Sequence, residues 1–334
     1  MAHIREYGHL TCCCYLAVAA HITNEKYFAF YHAAKVNKKR SKVKSQRSKV
    51  INKLKNRKKK FVFVLVFVNF FYLCARMVKP LILISNDDGY HAKGMKCLID
   101  FIRDIGDIVV CAPESTRSGY SRAFSATTPL TLKEREIRGI NDAPQDSEEN
   151  SCKIYSCSGT PVDCLKMAYN RLCPRKPDLV LGGINHGGNE STNCHYSGTV
   201  GIVMEGALKG IPSIAFSLCD FDDEADFEPM RQLVRNMVKK VLEEGLPTYV
   251  CLNVNVPKEW NGETKTCRMA HGHWRQEVDA RVHPGNGKPY YWMTGYYQND
   301  EPHAEDTDAW AIAQGYAAIT PLTVDQTADI EFRV

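Results

Sequence analysis

Two kinds of apolar pattern take turns along most of this chain. Leu81-Ile82-Leu83-Ile84 is a continuous apolar run that stops in Asn86-Asp87-Asp88-Gly89. A run of that length, bounded by turn residues, reads as a strand buried on both faces of a parallel sheet. A helix-like segment follows from about His91 to Ile105. Downstream the pattern predicts strands over 108–113, 127–132, 153–157, 178–184, 212–218 and 249–256, and helices over 161–172, 198–209 and 227–244. Such alternation places the chain in the α/β class, as a Rossmann-like, doubly wound, mostly parallel sheet with right-handed crossovers. After Pro257 the period fades. Residues 260–305 are rich in His, Tyr, Trp, Gly, Pro and Asn, which predicts hairpin excursions or an oligomerisation arm. A short helix over 308–314 and a strand over 316–321 follow.

Charge separates the first 76 residues from the rest. They hold 17 Lys and Arg against two acids, whereas residues 77–334 hold 26 against 36. Fourteen of the basic residues fall between Lys35 and Lys60, and an apolar stretch from Phe61 to Ala75, broken only by Asn69, follows. That stretch is short of the about 20 residues a spanning helix needs. Three readings stand: sequence upstream of a true start at Met77, a signal or anchor segment, and a basic arm for nucleic acid or anionic lipid. The first is the expectation, with 1–76 outside the native fold and 77–334 as the folded domain. The acidic domain is not expected to bind nucleic acid or membrane. Of 14 cysteines none forms a CxxC pair, and several interrupt apolar patterns, which predicts buried free thiols in a reducing, cytoplasmic setting.

Candidate chemistry collects at predicted strand ends, where ligands bind in open α/β sheets. Adjacent carboxylates at Asp87 and Asp88 either form a turn that caps the next helix or repel each other until a cation joins them. Ser118 in a polar loop and Asn185 after the 178–184 strand supply further hard oxygens, which suit Mg²⁺, Mn²⁺ or Ca²⁺ rather than zinc. Gly187 and Gly188 let backbone amides approach an anion. Ser197, Gly198 and Thr199 open a helix, either as a plain cap or as a phosphate cradle. Asn189 is a candidate to orient phosphate or an attacking water.

Taken in order, Asn86-Asp87-Asp88-Gly89, Arg117-Ser118-Gly119, Gly159-Thr160-Pro161 with Asp163, Gly183-Ile184-Asn185 with Asn189, and Tyr196-Ser197-Gly198-Thr199 resemble the SurE family. Asp306-Thr307-Asp308, Gly315-Tyr316 and Ile319-Thr320-Pro321-Leu322 resemble that family's C-terminal motifs. The resemblance runs from about Met77 onward. It implies a metal-dependent phosphatase of nucleoside 5′- and 3′-monophosphates, with Asp87, Asp88, Ser118 and Asn185 holding one divalent cation per subunit, Mg²⁺ or Mn²⁺. On this reading Asp87, Asp88 and Asn189 act in catalysis, and Asn185, Gly187, Asn189, Ser197, Gly198 and Thr199 contact substrate phosphate. It further implies homodimers or homotetramers built through C-terminal arms. Lys93, Glu114 and the stretch from Glu190 to His195 depart from the family pattern.

Two rivals remain at this stage. One is a nucleotide-binding module without turnover. The other is a phosphatase with Asp87 as covalent nucleophile, although Gly89 stands where a second Asp would be expected. Among the aromatic residues, those of 290–297 are candidates for base stacking or for arm packing.

Overall fold

β1 (Leu81–Ser85) is buried along its whole length because it has a parallel neighbour on each side. Ile82 pairs with Ile108 of β2 (Asp107–Pro113) and with Leu179 of β5 (Leu179–His186). The structure, a computed structural model, describes residues 79–140 and 151–331. The expected 1–76 extension, the start at Met77 and most of the 139–150 loop lie outside the described residues.

Outward from β1 on one side the sheet runs through β2, β4 (Cys152–Cys157) and β3 (Leu132–Arg135). On the other it runs through β5, β6 (Ser213–Cys219), β7 (Val250–Pro257), β13 (Ala317–Thr323) and β8 (Thr264–Thr266). From β4 to β7 every neighbouring pair is parallel, while β3 and β13 join antiparallel. The expected strand over 127–132 is displaced: the ladder to β4 begins at Leu132, and residues 127–131 carry no strand. The strand order switches sides at β1, with β2 added on one side and β5 on the other, all three running parallel. Loops at its carboxyl end therefore open into a crevice.

Alternation along β1 sends Ile82 and Ile84 into one core and Leu81 and Leu83 into another. The first is closed by α1 (Lys93–Ile102), through Met95, Leu98, Ile99 and Ile102, and by α4 (Arg231–Glu244), through Val234, Val238 and Val241. Both sets recur at helical spacing and form one stripe per helix. The second core is closed by α2 (Pro161–Met167) and α3 (Gly198–Leu208). Every residue of α3 except Leu208 is buried, as befits a mostly apolar helix whose one charged residue, Glu205, is ion-paired. All ten cysteines among the described residues are free thiols. Among those residues no helix is long and apolar enough to cross a membrane.

α2 shows why Gly159-Thr160-Pro161 precedes Asp163. Thr160 Oγ1 accepts the Asp163 N–H at 3.1 Å, and Asp163 Oδ2 accepts the Thr160 N–H at 2.9 Å, a reciprocal cap with Pro161 in the first turn. Asp163 also takes the amide and hydroxyl of Ser125. Burial alone would raise its pKa, but these donors hold it below the ordinary carboxylate value. Thr160→Ala is expected to destabilise the fold by about 1 kcal/mol, read as a lower urea midpoint with an unchanged slope.

Residues 260–305 form the predicted excursion. β9 (Gly272–Arg275) pairs with β12 (Tyr296–Asn299), and β10 (Val278–Val282) pairs with β11 (Pro289–Met293) beyond it. α5 (Asp308–Ala313) then leads back to the sheet.

Candidate active site

Asn86 fixes the loop that carries both carboxylates. Its side chain donates to the Gly89 carbonyl at 2.9 Å and accepts the Gly89 N–H at 3.1 Å. The loop thereby turns sharply and leaves Asp87 pointing at the N-terminus of α3. There Asp87 Oδ1 accepts the Thr199 hydroxyl at 2.5 Å and Oδ2 accepts the Gly198 N–H at 3.2 Å. Burial pushes the Asp87 carboxyl above its ordinary pKa, and these donors pull against that shift. Asp88 is pushed up to about 6, by burial first and by the neighbouring Asp87 charge second, and its Oδ2 accepts the His186 N–H at 3.4 Å.

Asn185 reaches the same place from β5 because the strand is irregular there. Pairing with β6 shifts register between Gly182 and Asn185, and a bulge of this kind re-aims the side chains beyond it. Gly183 makes the bulge possible: its φ is +112°, and a Cβ there would lie 2.3 Å from the Phe216 carbonyl oxygen. Asn185 Nδ2 donates to the Gly187 carbonyl at 2.8 Å, which leaves Oδ1 as the acceptor it can offer a cation.

Asp87, Ser118, Asn185, Asn189 and Ser197 line one cavity of about 380 Å³; Asp88 does not line it but bonds to the N–H of His186, which does. A larger cavity, about 560 Å³, lies between α4 and β13 and is walled largely by Leu233, Met237, Val241, Leu252 and Ile319. It holds no paired carboxylates. Among the described residues no group of three or more His, Cys, Asp and Glu assembles, so a cation at Asp87 and Asp88 would complete its shell with the neutral oxygens of Ser118 and Asn185. Two crowded carboxylates beside hard neutral oxygens fit a hard divalent cation.

Several expected phosphate contacts are otherwise engaged. The Gly198 amide and Thr199 hydroxyl belong to Asp87, and Val200 N–H is capped by Ser197 Oγ at 3.1 Å. Gly187 N–H donates to the Leu218 carbonyl. The α3 dipole is thus turned on a carboxylate of the protein, and these groups of Gly187, Gly198 and Thr199 have partners within the chain. Asn189 is held by residues that no motif flagged. Its N–H donates to Asn255 Oδ1 at 2.7 Å, its Nδ2 to Ser217 Oγ at 2.8 Å, and its carbonyl accepts Asn253 Nδ2 at 2.8 Å. Polar residues interrupting the apolar strands β6 and β7 were the available signal. Among the described residues Arg117 makes no salt bridge; its guanidinium meets the Tyr120 hydroxyl and the Ser158 carbonyl. Glu205 is structural, paired with Lys166 and Lys209.

The departing loop from Glu190 to His195 is pegged by α5. Asp308, fully buried, accepts the N–H groups of Ser191 and Ala270, each at 2.9 Å. Trp274 of β9 donates its indole N–H to Asn193 Oδ1 at 2.9 Å, which brings the arm to the cavity wall.

The model of the family described as Survival protein SurE matches residues 82–276. The chain belongs to the SurE family. The 5′-nucleotidase SurE of Bacteroides fragilis is 48% identical over 254 residues, spanning 75% of this chain and 94% of its own. That of Phocaeicola vulgatus is 47% identical over 251 residues, spanning 75% and 93%. A crystal structure of a SurE protein from Aquifex aeolicus superposes with a TM-score of 0.60 at 37% identity, covering 74% of this chain and 95% of that one. That relative thus shares the Rossmann-like frame described above.

Proposed function

We infer that this protein is a 5′-nucleotidase, a phosphoric monoester hydrolase acting on nucleoside monophosphates. The observation that carries the reading is the convergence of Asp87, Ser118 and Asn185 on one cavity at the carboxyl ends of β1 and β5, in a chain whose relatives bear that name. We assign Asp87, Asp88, Ser118 and Asn185 to a divalent cation, Mg²⁺ or Mn²⁺. Held by these residues, such an ion would supply positive charge to polarise the phosphoryl group.

The protein's own residues do the rest by position. α3 holds the Asp87 carboxylate through both oxygens, so its orientation does not depend on substrate. Asp88 accepts one long hydrogen bond on Oδ2 alone, and we assign its other oxygen the proton of the attacking water. Asn189, locked by Ser217 and Asn255, and the Ser197 hydroxyl face the cavity as fixed polar contacts for the phosphate. The covalent reading is disfavoured, because an Asp87 engaged through both oxygens and buried is poorly placed to attack phosphorus. The exposed Val278, Val282, Tyr291, Trp292 and Met293 of the β10–β11 hairpin support a further proposal, a homo-oligomer joined through these arms.

Release of inorganic phosphate from AMP tests the function. Activity is expected to disappear in EDTA and to return with Mg²⁺ or Mn²⁺. Full turnover in EDTA would overturn the metal assignment, and AMP binding without any phosphate release would favour a binding module.

A further inference from the structure

Polar and aromatic side chains both line the cavity. Beyond Asp87, Ser118 and Asn185 its wall is made by Phe221, Tyr196 and Trp274. Phe221 is 80% exposed and Tyr196 59% exposed, although each lies beside the site rather than on a remote surface. An apolar ring left open to water next to a polar crevice leaves much of its face without protein contact.

Phe221 is nonetheless placed. A Cβ built on Gly187 would lie 2.4 Å from its Cε1 and 3.1 Å from Cδ1 and Cζ, so the ring rests against the Gly187 backbone where only glycine leaves room. That backbone also accepts the Asn185 side chain, so the ring and the end of β5 share one support. Trp274 is fixed by its indole hydrogen bond to Asn193. Tyr196 directly precedes the Ser197 cap.

We propose that Phe221, with Tyr196 and Trp274, forms a stacking subsite for the nucleobase of the substrate, and that Phe221 sets the preference for nucleotides over base-free sugar phosphates. This rests on the nucleotidase reading of the same cavity. A flat aromatic ring recognises any base by its face and with little regard to its hydrogen-bonding edge. The subsite therefore accepts all four bases and favours the larger purine surface. The aromatic residues of 290–297, candidates for base stacking or for arm packing, do not line this cavity: Trp292 and Tyr290 are paired into the outer hairpin, and the Tyr297 hydroxyl meets Ser191.

The test compares AMP with ribose 5-phosphate, which carries the same phosphate and sugar without a base. Phe221→Ala is expected to lower the ratio of kcat/KM for AMP to that for ribose 5-phosphate by about 5-fold or more, through KM. Phe221→Tyr is expected to keep the wild-type ratio. An unchanged ratio in Phe221→Ala, or an equal loss on both substrates, overturns the subsite. If the wild-type protein hydrolyses neither compound, the nucleotidase reading fails separately. Calorimetric binding of the two compounds then decides the subsite alone: weaker AMP binding in Phe221→Ala supports it, and equal binding overturns it.

Discussion

Asp87→Asn is expected to lower kcat/KM for AMP by more than about 100-fold, since a change one step removed from a metal already costs 10- to 100-fold, while the protein stays folded. The isostere can keep both local hydrogen bonds, with Oδ1 accepting from Gly198 N–H and Nδ2 donating to the Thr199 hydroxyl, which can turn to accept. What it loses is the charge. Two effects on stability then oppose each other. Burial works against a charged Asp87, so neutralising it removes a desolvation penalty. The α3 N-terminus favours the anion, so neutralising it also removes a favourable dipole interaction of about 0.3–2 kcal/mol. With these offsetting, a thermal midpoint close to that of the wild type is expected alongside the loss of activity. Phosphate release by Asp87→Asn at the wild-type rate would remove this carboxylate from the mechanism. Unfolding of the variant would instead make its role one of architecture.

Gly198→Ala is the second large expectation. An added Cβ would lie 2.7 Å from Asp87 Cβ, 3.0 Å from Asp87 Oδ2 and 2.9 Å from Pro161 Cγ. None of these can withdraw freely. Asp87 is carried by the loop that Asn86 braces, and Pro161 opens the capped helix α2. Overpacking of this kind costs about 1–3 kcal/mol, and a misplacement near 1 Å at a reacting site costs about 100-fold in rate. Activity is therefore expected to fall about 10- to 100-fold, with a lower urea midpoint. The control is Gly262→Ala, at a turn where nothing lies within 4 Å of the added carbon: its positive φ allows some loss of stability, but its kcat/KM is expected to match the wild type. If Gly198→Ala retains full activity, Asp87 does not need the close approach of α3.

The parallel frame and the carboxylate loop were legible because their signals are local. β1 and β5 are continuous apolar runs, and such runs have little alternative to a doubly covered strand. β3 was misplaced because Leu132–Arg135 is a short polar edge, exposed on one side, with only the ladder to Cys157–Ile154 to define it. The brace around Asn189 was hidden for another reason. Its partners Ser217, Asn253 and Asn255 stand 28 to 66 residues away on two other strands, and no spacing rule links them. Phe221 and Trp274 likewise come from unpatterned segments and come to line one cavity only when the excursion folds back. The close approach that Gly187 and Gly198 permit brings a ring and a carboxylate of the protein itself against the backbone, which the motifs alone did not reveal.

Asp308 gives the cavity an order of completion. The loop at Ser191 is fastened by a carboxylate that lies 117 positions later in the chain, and the wall strand at Ala270 waits on the same side chain. During synthesis at about 5–20 residues per second, roughly 6 to 23 s separate the two. A nascent chain therefore carries Asp87 and Asn185 well before it owns a finished crevice. The enzyme's competence arrives with its last helix.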